Sequence, residues 1–241
     1  MTVRRVHLPA ERIAAGRAAL TDEARHYLRD VLRLLPGDAV EVFDGAGAAY
    51  DATVGDRFEA LVLGARREAA AVAARVSLLF ALSKGEKMDL VVQKATELGA
   101  SAVAPFAAER SVVRLDAEKG AERADRWRRI AAEAARQCGR HDVPEVRPPA
   151  PLAAALAALP PGAVKYVFHP GGAPLAVDSP EPEAAAYVAV VGPEGGLTEA
   201  EVQACERAGA RRAALGPRVL RAETAAIVAV TLLQARFGDL A

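Results

Sequence analysis

The sequence predicts an α/β chain in which a parallel sheet, covered by helices on both faces, follows a small β-rich module. Three observations carry this. From Val76 onward, short apolar runs alternate with amphipathic helical segments, the pattern of parallel strands joined by helices. Before that the texture is strand-dominated and centres on Asp44-Gly45, a hairpin signal. Three Gly/Pro turns, "HPGGAP", "GPEGGLT" and "LGPRVLRAET", then punctuate the last apolar runs.

Each element has its own justification. "RRVHLP" reads as a short strand and "TDEARHYLRDVLRL" as a helix with Thr21 as N-cap. "PGDAVEVFDGAGAAYDATVGD" alternates apolar and polar residues about its turn, and "ALVLGARRE" adds a strand. The first domain is therefore placed at residues 1–70, the alanine-rich "REAAAVAAR" is the junction, and the second domain runs over 75–241. There "VSLLFAL" is a continuous apolar run, as a strand covered on both faces requires. In "KGEKMDLVVQKATELGA", Met88, Val91, Val92, Ala95 and Leu98 fall at helical spacing before Gly99. "SAVAPF" is a strand, and "AERADRWRRIAAEAARQCGR" a helix closed by Gly139. "AVKYVFHP" and "AAYVAVVGP" are strands. "TEAEVQACERAGA" is a helix opened by a Thr198–Glu201 capping box. "RRAALG" and "ETAAIVAVTLLQARFG" are the last strand and helix.

Composition narrows the function. Formal net charge is zero, which excludes a polyanion-binding tail. Only five of the 31 basic residues are lysines (Lys84, Lys87, Lys94, Lys119, Lys165), so local arginine clusters matter more than the total. Cys138 and Cys205 have no partner at ligand spacing, which argues against a disulfide framework and a metal site and suits a reducing cytoplasm. "MTVRRVHLPAERI" lacks the apolar core of a secretory signal, and the run Ala222 to Leu233 is too short to span a bilayer. A soluble cytoplasmic protein is expected.

Ligands of open parallel sheets bind outside the carboxyl ends of the strands, where glycine turns let backbone approach them closely. No G-x-G-x-x-G, P-loop lysine or serine nucleophile elbow is present, and His7, His26, His141 and His169 are scattered. What remains near the glycine turns is polar backbone, a few arginines and two carboxylates, Glu194 and Glu223. That set suits a transfer reaction governed by positioning and electrostatics.

"VVGPEGGLTEAEV" together with "ALGPRVLRAETAAIVAV" resembles the RsmE family of the SPOUT methyltransferases. "HYLRDVLRLLPGDAVEVFDGAG" looks like that family's N-terminal PUA-like domain. "KMDLVVQKATELGASAVAPFAAERSVV" and "WRRIAAEAARQCGRHDVPEV" resemble its middle segments. Pro217 and Ala222 stand at variable positions, and "RRVHLP" is less aromatic than the usual start. The resemblance implies a C-terminal trefoil knot, a homodimer, and S-adenosyl-L-methionine as cofactor. It also implies methylation of N3 of the uridine at position 1498 of 16S ribosomal RNA, within the small ribosomal subunit. Carried over, Gly192, Gly195, Gly196, Leu215, Gly216, Val219 and Leu220 surround the cofactor, with His169 to Gly172 as a third wall.

The uracil imide proton must leave during transfer, so Arg221 and Glu194 are the catalytic candidates, one as electrostatic donor and one as base. Against them stand an Arg221 salt bridge that braces the loops and a Glu194 made acidic by the helix start that follows it. Arg4, Arg5, Arg136 and Arg140 are the candidates for RNA contact. Arg126, Arg129, Arg136 and Arg140 cannot share one helix face, so some are plain solvated charges. Trp127 is a stacking residue or a core residue. Three other functions compete: methylation of another RNA or of a ribose hydroxyl, a non-catalytic RNA-binding role in ribosome assembly, and small-molecule methylation, which leaves the β-rich module without a use.

Overall fold

The computed structural model describes residues 4–69, 74–113, 116–175 and 184–240. Its contacts divide between two units, Met1–Ala71 with Ala132–Val143, and Val72–Ala131 with Pro144–Ala241.

The first unit is a six-stranded sheet in the order β1-β4-β5-β6-β3-β2. Its strands are β1 (Arg5–His7), β2 (Ile13–Ala14), β3 (Arg17–Ala19), β4 (Ala39–Phe43), β5 (Ala48–Val54) and β6 (Ala60–Glu68). Pairing is antiparallel except between β1 and β4. The hairpin expected at Asp44-Gly45 joins β4 to β5. The Asp44 carboxylate sets the turn by accepting from the Ala46 and Ala48 amides at 2.7 and 3.0 Å. Helix α1 (Asp22–His26) starts where Thr21 predicted, its hydroxyl accepting from the Ala24 amide at 3.0 Å. It then widens into a π turn over Tyr27–Val31 instead of continuing as an α-helix. Alternate positions of the strands, with Leu8, Leu28, Val42 and Leu61, form a core with no solvent exposure.

Charge is buried beside that core. The Arg5 guanidinium pairs with Glu41 and donates to the carbonyls of Ala135 and Arg136, in the last turn of a long helix, and of Arg140 just beyond it. Arg5 thus neutralises a buried carboxylate and adds charged donors at the end of that helix.

The second unit holds a seven-stranded sheet that is parallel throughout. Its strands are β7 (Arg75–Ala81), β8 (Ala102–Ala107), β9 (Glu145–Val146), β10 (Ala150–Pro151), β11 (Val164–Pro174), β12 (Ala186–Val191) and β13 (Ala210–Ala214). The order is β10-β8-β7-β12-β11-β13, with β9 also on β8. Residues 76–81 are all buried, so both faces of β7 are covered, as the unbroken apolar run required. Its helices are α2 (Lys87–Glu97), α4 (Leu152–Ala157), α5 (Glu199–Arg207) and α6 (Ala222–Phe237). Helices α2 and α6 pack together, and α6 lies on β7 and β12. Helices α4 and α5 contact each other, α4 on β8 and α5 on β11 and β13. There Leu79, Ala81, Val188 and Val190 meet Leu152, Leu156, Val202 and Cys205. Burial pushes the Cys205 thiol up to about 11, so it behaves as a small apolar side chain.

Helix α3 (Ala117–Cys138) runs from the second unit into the return segment of the first. Trp127 is buried and its indole N–H donates to Asp89 at 3.1 Å, tying α3 to α2. Arg126 pairs with the same carboxylate. Trp127 is thus the core residue of its helix, and no ring face is left for a base.

Strands β11, β12 and β13 are neighbours, with β11 in the middle. The chain leaves β11, enters the sheet beside β7 as β12, and returns beyond β11 as β13. Because all three run the same way, the glycine segments at their carboxyl ends lie side by side at one end of the sheet.

Candidate active site

Those segments line one cavity of about 650 Å³. It is lined by His169, Gly192, Glu194, Gly195, Gly196, Leu215, Gly216, Val219, Leu220 and Arg221, as the glycine motifs suggested. Of the expected third wall only His169 and Pro170 reach it, and Gly171, Gly172 and the carboxylate Glu223 do not line it. Phe168, Val191 and Leu197 extend its apolar wall.

Local structure explains how the walls are held. "HPGGAP" is not a turn after β11. It is a bulge within β11, where Phe168 and Ala173 both pair with Ala213 and, of the residues between, His169 and Pro170 line the cavity. His169 Nδ1 steadies the bulge by accepting from the Gly171 amide at 3.2 Å. Gly172 lets the strand close again, because a Cβ there would lie 2.5 Å from the Ala213 carbonyl carbon. Gly172→Ala must therefore part β11 from β13. It is expected to cost about 1–3 kcal/mol, read as a melting midpoint lowered by several degrees; an unchanged midpoint would contradict this packing.

The second wall follows β12. A Cβ at Gly192 would meet Leu197 Cγ at 2.8 Å, so glycine is what permits this tight reversal. The loop then enters α5 through the predicted capping box. The Glu201 amide donates to the Thr198 hydroxyl at 3.3 Å, and Glu201 Oε2 accepts from the Thr198 amide at 2.9 Å. Glu201 Oε1 also accepts from the Glu109 amide at 2.8 Å, and Arg110 donates to the Gly195 carbonyl at 3.1 Å. The segment after β8 is thereby fastened to the loop after β12.

The third wall runs from β13 to α6. Arg221 is the N-cap residue of α6, with extended backbone and no side-chain cap bond. The Arg221 guanidinium makes no hydrogen bond or ion pair among the described residues. The salt bridge anticipated between it and Glu194 or Glu223 goes instead to Lys87, 2.8 Å from Glu194 Oε1 and 3.5 Å from Glu223 Oε2. Burial alone would push the Glu194 carboxyl up, but the Lys87 ammonium and Glu194's own amide hold it below the usual range. Lys87 is held above its ordinary value, chiefly by its bond to Glu194. A carboxylate paired in this way is a poor proton acceptor near neutrality, contrary to the role of base considered for it. Four cations, Lys87, Arg110, Arg218 and Arg221, line the cavity against the one carboxylate Glu194.

Sequence reasoning did not select Lys87, Arg110 or Arg218. Lys87 and Arg110 reach the cavity from helix and loop segments far away in sequence, so no local motif marks them. Arg218 lay inside the quoted motif and could have been taken with it.

The arginines considered for RNA separate by burial. Arg4 keeps half its side chain in solvent, 3.8 Å from Asp38. Arg5 is buried on Glu41 and three carbonyls, which leaves it no face for phosphate. Arg136 pairs with Glu133 and stacks on Tyr27, and Arg140 pairs with Asp142 at 2.6 Å. Both are mostly covered.

A parallel sheet with a glycine-lined cavity at its strand ends, in one chain with a separate β-rich unit, finds its match among enzymes that modify RNA. The family model for the RNA methyltransferase domain covers residues 71–234, and that for the RNA methyltransferase PUA domain covers residues 20–60. The chain is 34% identical over 226 residues to ribosomal RNA small subunit methyltransferase E of Bacillus subtilis, covering 89% of this chain and 88% of that protein. The Mycobacterium bovis protein of the same name is 34% identical over 217 residues, covering 87% and 82%. The crystal structure of the Neisseria gonorrhoeae methyltransferase E bound to S-adenosyl methionine superposes with TM-score 0.88 at 30% identity, covering 100% of both chains. The chain belongs to the ribosomal RNA small subunit methyltransferase E family.

Proposed function

We propose that this protein transfers a methyl group from S-adenosyl-L-methionine to N3 of a uridine of 16S ribosomal RNA, the one at position 1498. The observation that carries the reading is the cavity itself, three adjoining strand-end walls with a cationic, partly unpaired mouth. Its volume falls within the roughly 300–1,000 Å³ of small-molecule sites. Its chemistry fits the cofactor: Phe168, Val191, Leu197, Leu215 and Leu220 offer apolar surface to an adenine ring. The tight reversal that glycine permits at 192 leaves loop backbone of Gly192, Gly195 and Gly196 on the cavity wall, where it would bond the cofactor. Gly192, Gly195, Gly196, Leu215, Gly216, Val219 and Leu220 would hold the cofactor, with His169 on the third side. When bound, it supplies an electrophilic sulfonium methyl.

The chain's own part is positioning and charge. As the N3 proton leaves, negative charge builds on the uracil O2 and O4, and a fixed cation beside them lowers the barrier. Arg221 suits that task because its guanidinium is unpaired and exposed at the cavity mouth. In this reading Glu194 braces the loops through Lys87 and leaves the proton to another acceptor. Arg4 is the RNA contact retained from the N-terminal unit, with Arg136 and Arg140 in supporting roles.

The family's trefoil knot, the domain limits 1–70 and 75–241, a homodimer and a cytoplasmic location belong to the same proposal. The doubling back of β11, β12 and β13 supports the knot. Val219, 85% exposed on the cavity wall, supports a partner subunit that covers it. No helix among the described residues is long and apolar enough to cross a membrane.

The test is a filter assay with labelled cofactor and small ribosomal subunits that lack the modification. Label in the 16S RNA supports the reading. Cofactor bound with no label transferred to it would overturn the substrate assignment.

A further inference from the structure

Lys87 stands outside the mechanism above, yet it is where the cavity's charges meet. It opens α2, far from both glycine motifs in sequence, and reaches Glu194 at 2.8 Å and Glu223 at 3.5 Å. Glu194 belongs to the loop after β12 and Glu223 to the first turn of α6, so one ammonium ties together two walls of the site. Glu223 is the more enclosed carboxylate, 14% exposed at its side chain, and its Oε2 is buried without a hydrogen-bond partner although it lies within ion-pair distance of Lys87. Two carboxylates held by one cation leave a surplus negative charge at the back of the mouth. The arginines of that mouth are nevertheless unpaired: Arg221, two residues before Glu223, and Arg218 make no ion pair among the described residues.

That arrangement needs an explanation, because an unpaired arginine on a flexible stem normally closes on a nearby carboxylate. We propose that Lys87 is a positioning residue: by holding Glu194 and Glu223 back from the mouth, it keeps the Arg221 guanidinium free to meet the RNA. The inference rests on the methyltransferase reading above, and it assigns to Lys87 a role that requires no contact with substrate or cofactor. Remove the ammonium and Glu223 loses its paired cation, while Glu194 keeps only the charge of Lys84. Glu223 is enclosed and draws in the nearest mobile cation, and Arg221 folds back onto it.

The decisive experiment separates a released carboxylate from a lost lysine. Lys87→Met is expected to lower single-turnover methyl transfer tenfold or more, while cofactor affinity, measured by calorimetry, stays within about threefold. Adding Glu194→Gln and Glu223→Gln to Lys87→Met removes the trap and restores transfer to within about fivefold of the unmodified protein, although position 87 still carries no charge. RNA affinity gives a readout independent of turnover. RNA affinity should fall severalfold in Lys87→Met, as the cation that meets the uracil is withdrawn, and return in the triple variant. If Lys87→Met melts below the assay temperature, Lys87→Gln, which keeps a donor toward Glu194, carries the same comparison. A triple variant as slow as the single one, with cofactor affinity intact, overturns the inference and leaves the methyltransferase reading standing. An unmodified protein that transfers no label overturns both.

Discussion

Arg221→Ala slows methyl transfer about a hundredfold, roughly 2.7 kcal/mol of transition-state stabilisation, and leaves cofactor affinity within a few-fold. The asymmetry follows from geometry. Arg221 caps no amide and bridges no carboxylate, since Lys87 holds Glu194 and Glu223, so its loss removes charge from the mouth without loosening the walls. An interaction made only as charge develops on the uracil appears in the rate and not in ground-state binding. Single-turnover rates at saturating cofactor, set beside calorimetric affinity, check it. Equal losses of both would make Arg221 a structural residue.

The largest stability effect is expected at the other unit. Arg5→Ala should destabilise the N-terminal unit by about 3 kcal/mol, the lower end of the penalty for removing one member of a buried ion pair, because the half-exposed Arg67 still pairs with Glu41 at 2.6 Å. Glu41 is 6% exposed, and Arg5 also donates to three carbonyls at and just beyond the end of α3. Burial alone would push the Glu41 carboxyl up, but the Arg5 and Arg67 guanidiniums reverse this and hold it below the usual carboxylate range. A carboxyl depressed in the folded state contributes stability above its unfolded value, and that contribution is lost as pH falls through its folded value. The cost of Arg5→Ala should accordingly be greatest at neutral pH and shrink in acid as Glu41 takes up a proton. Urea unfolding followed by circular dichroism across pH reads both features. A cost under 1 kcal/mol, or one that does not change with pH, would contradict a charge-based role.

Much of this architecture was legible in the sequence, and what was not has physical reasons. Strands β7, β8, β11, β12 and β13 and helices α2, α3, α5 and α6 each carried an apolar run or pattern of sufficient length, and three of the helices carried caps, Thr198 with Glu201 before α5 and the glycines after α2 and α3. The hairpin β2–β3 escaped because its turn uses Ala15 at φ 50° ahead of Gly16, and alanine gives no turn signal. Strands β9 and β10 and helix α4 are two, two and six residues long, too short for any period, and they exist because β8 and α5 pack against them. The cavity lining was readable where glycine motifs made it. It was unreadable where Lys87 and Arg110 arrive from other parts of the chain, because an ion pair across 107 residues leaves no local trace. Arg5 shows the converse error. Exposed on any sequence-based expectation, it is buried because Glu41 stands opposite it across the β1–β4 register.

The measurement closest to the central claim is the identity of the methylated nucleoside. Small subunits without the modification are incubated with the protein and labelled cofactor, the RNA is digested, and the labelled nucleoside is identified by mass spectrometry. A single labelled 3-methyluridine from one position of the 16S RNA is the result predicted for a cavity mouth that presents a free cation to a uracil anion. Label on a ribose hydroxyl or on an adenine would contradict it, because neither acceptor forms a carbonyl-flanked ring anion for Arg221 to stabilise, and label on any base other than uracil would overturn the substrate assignment.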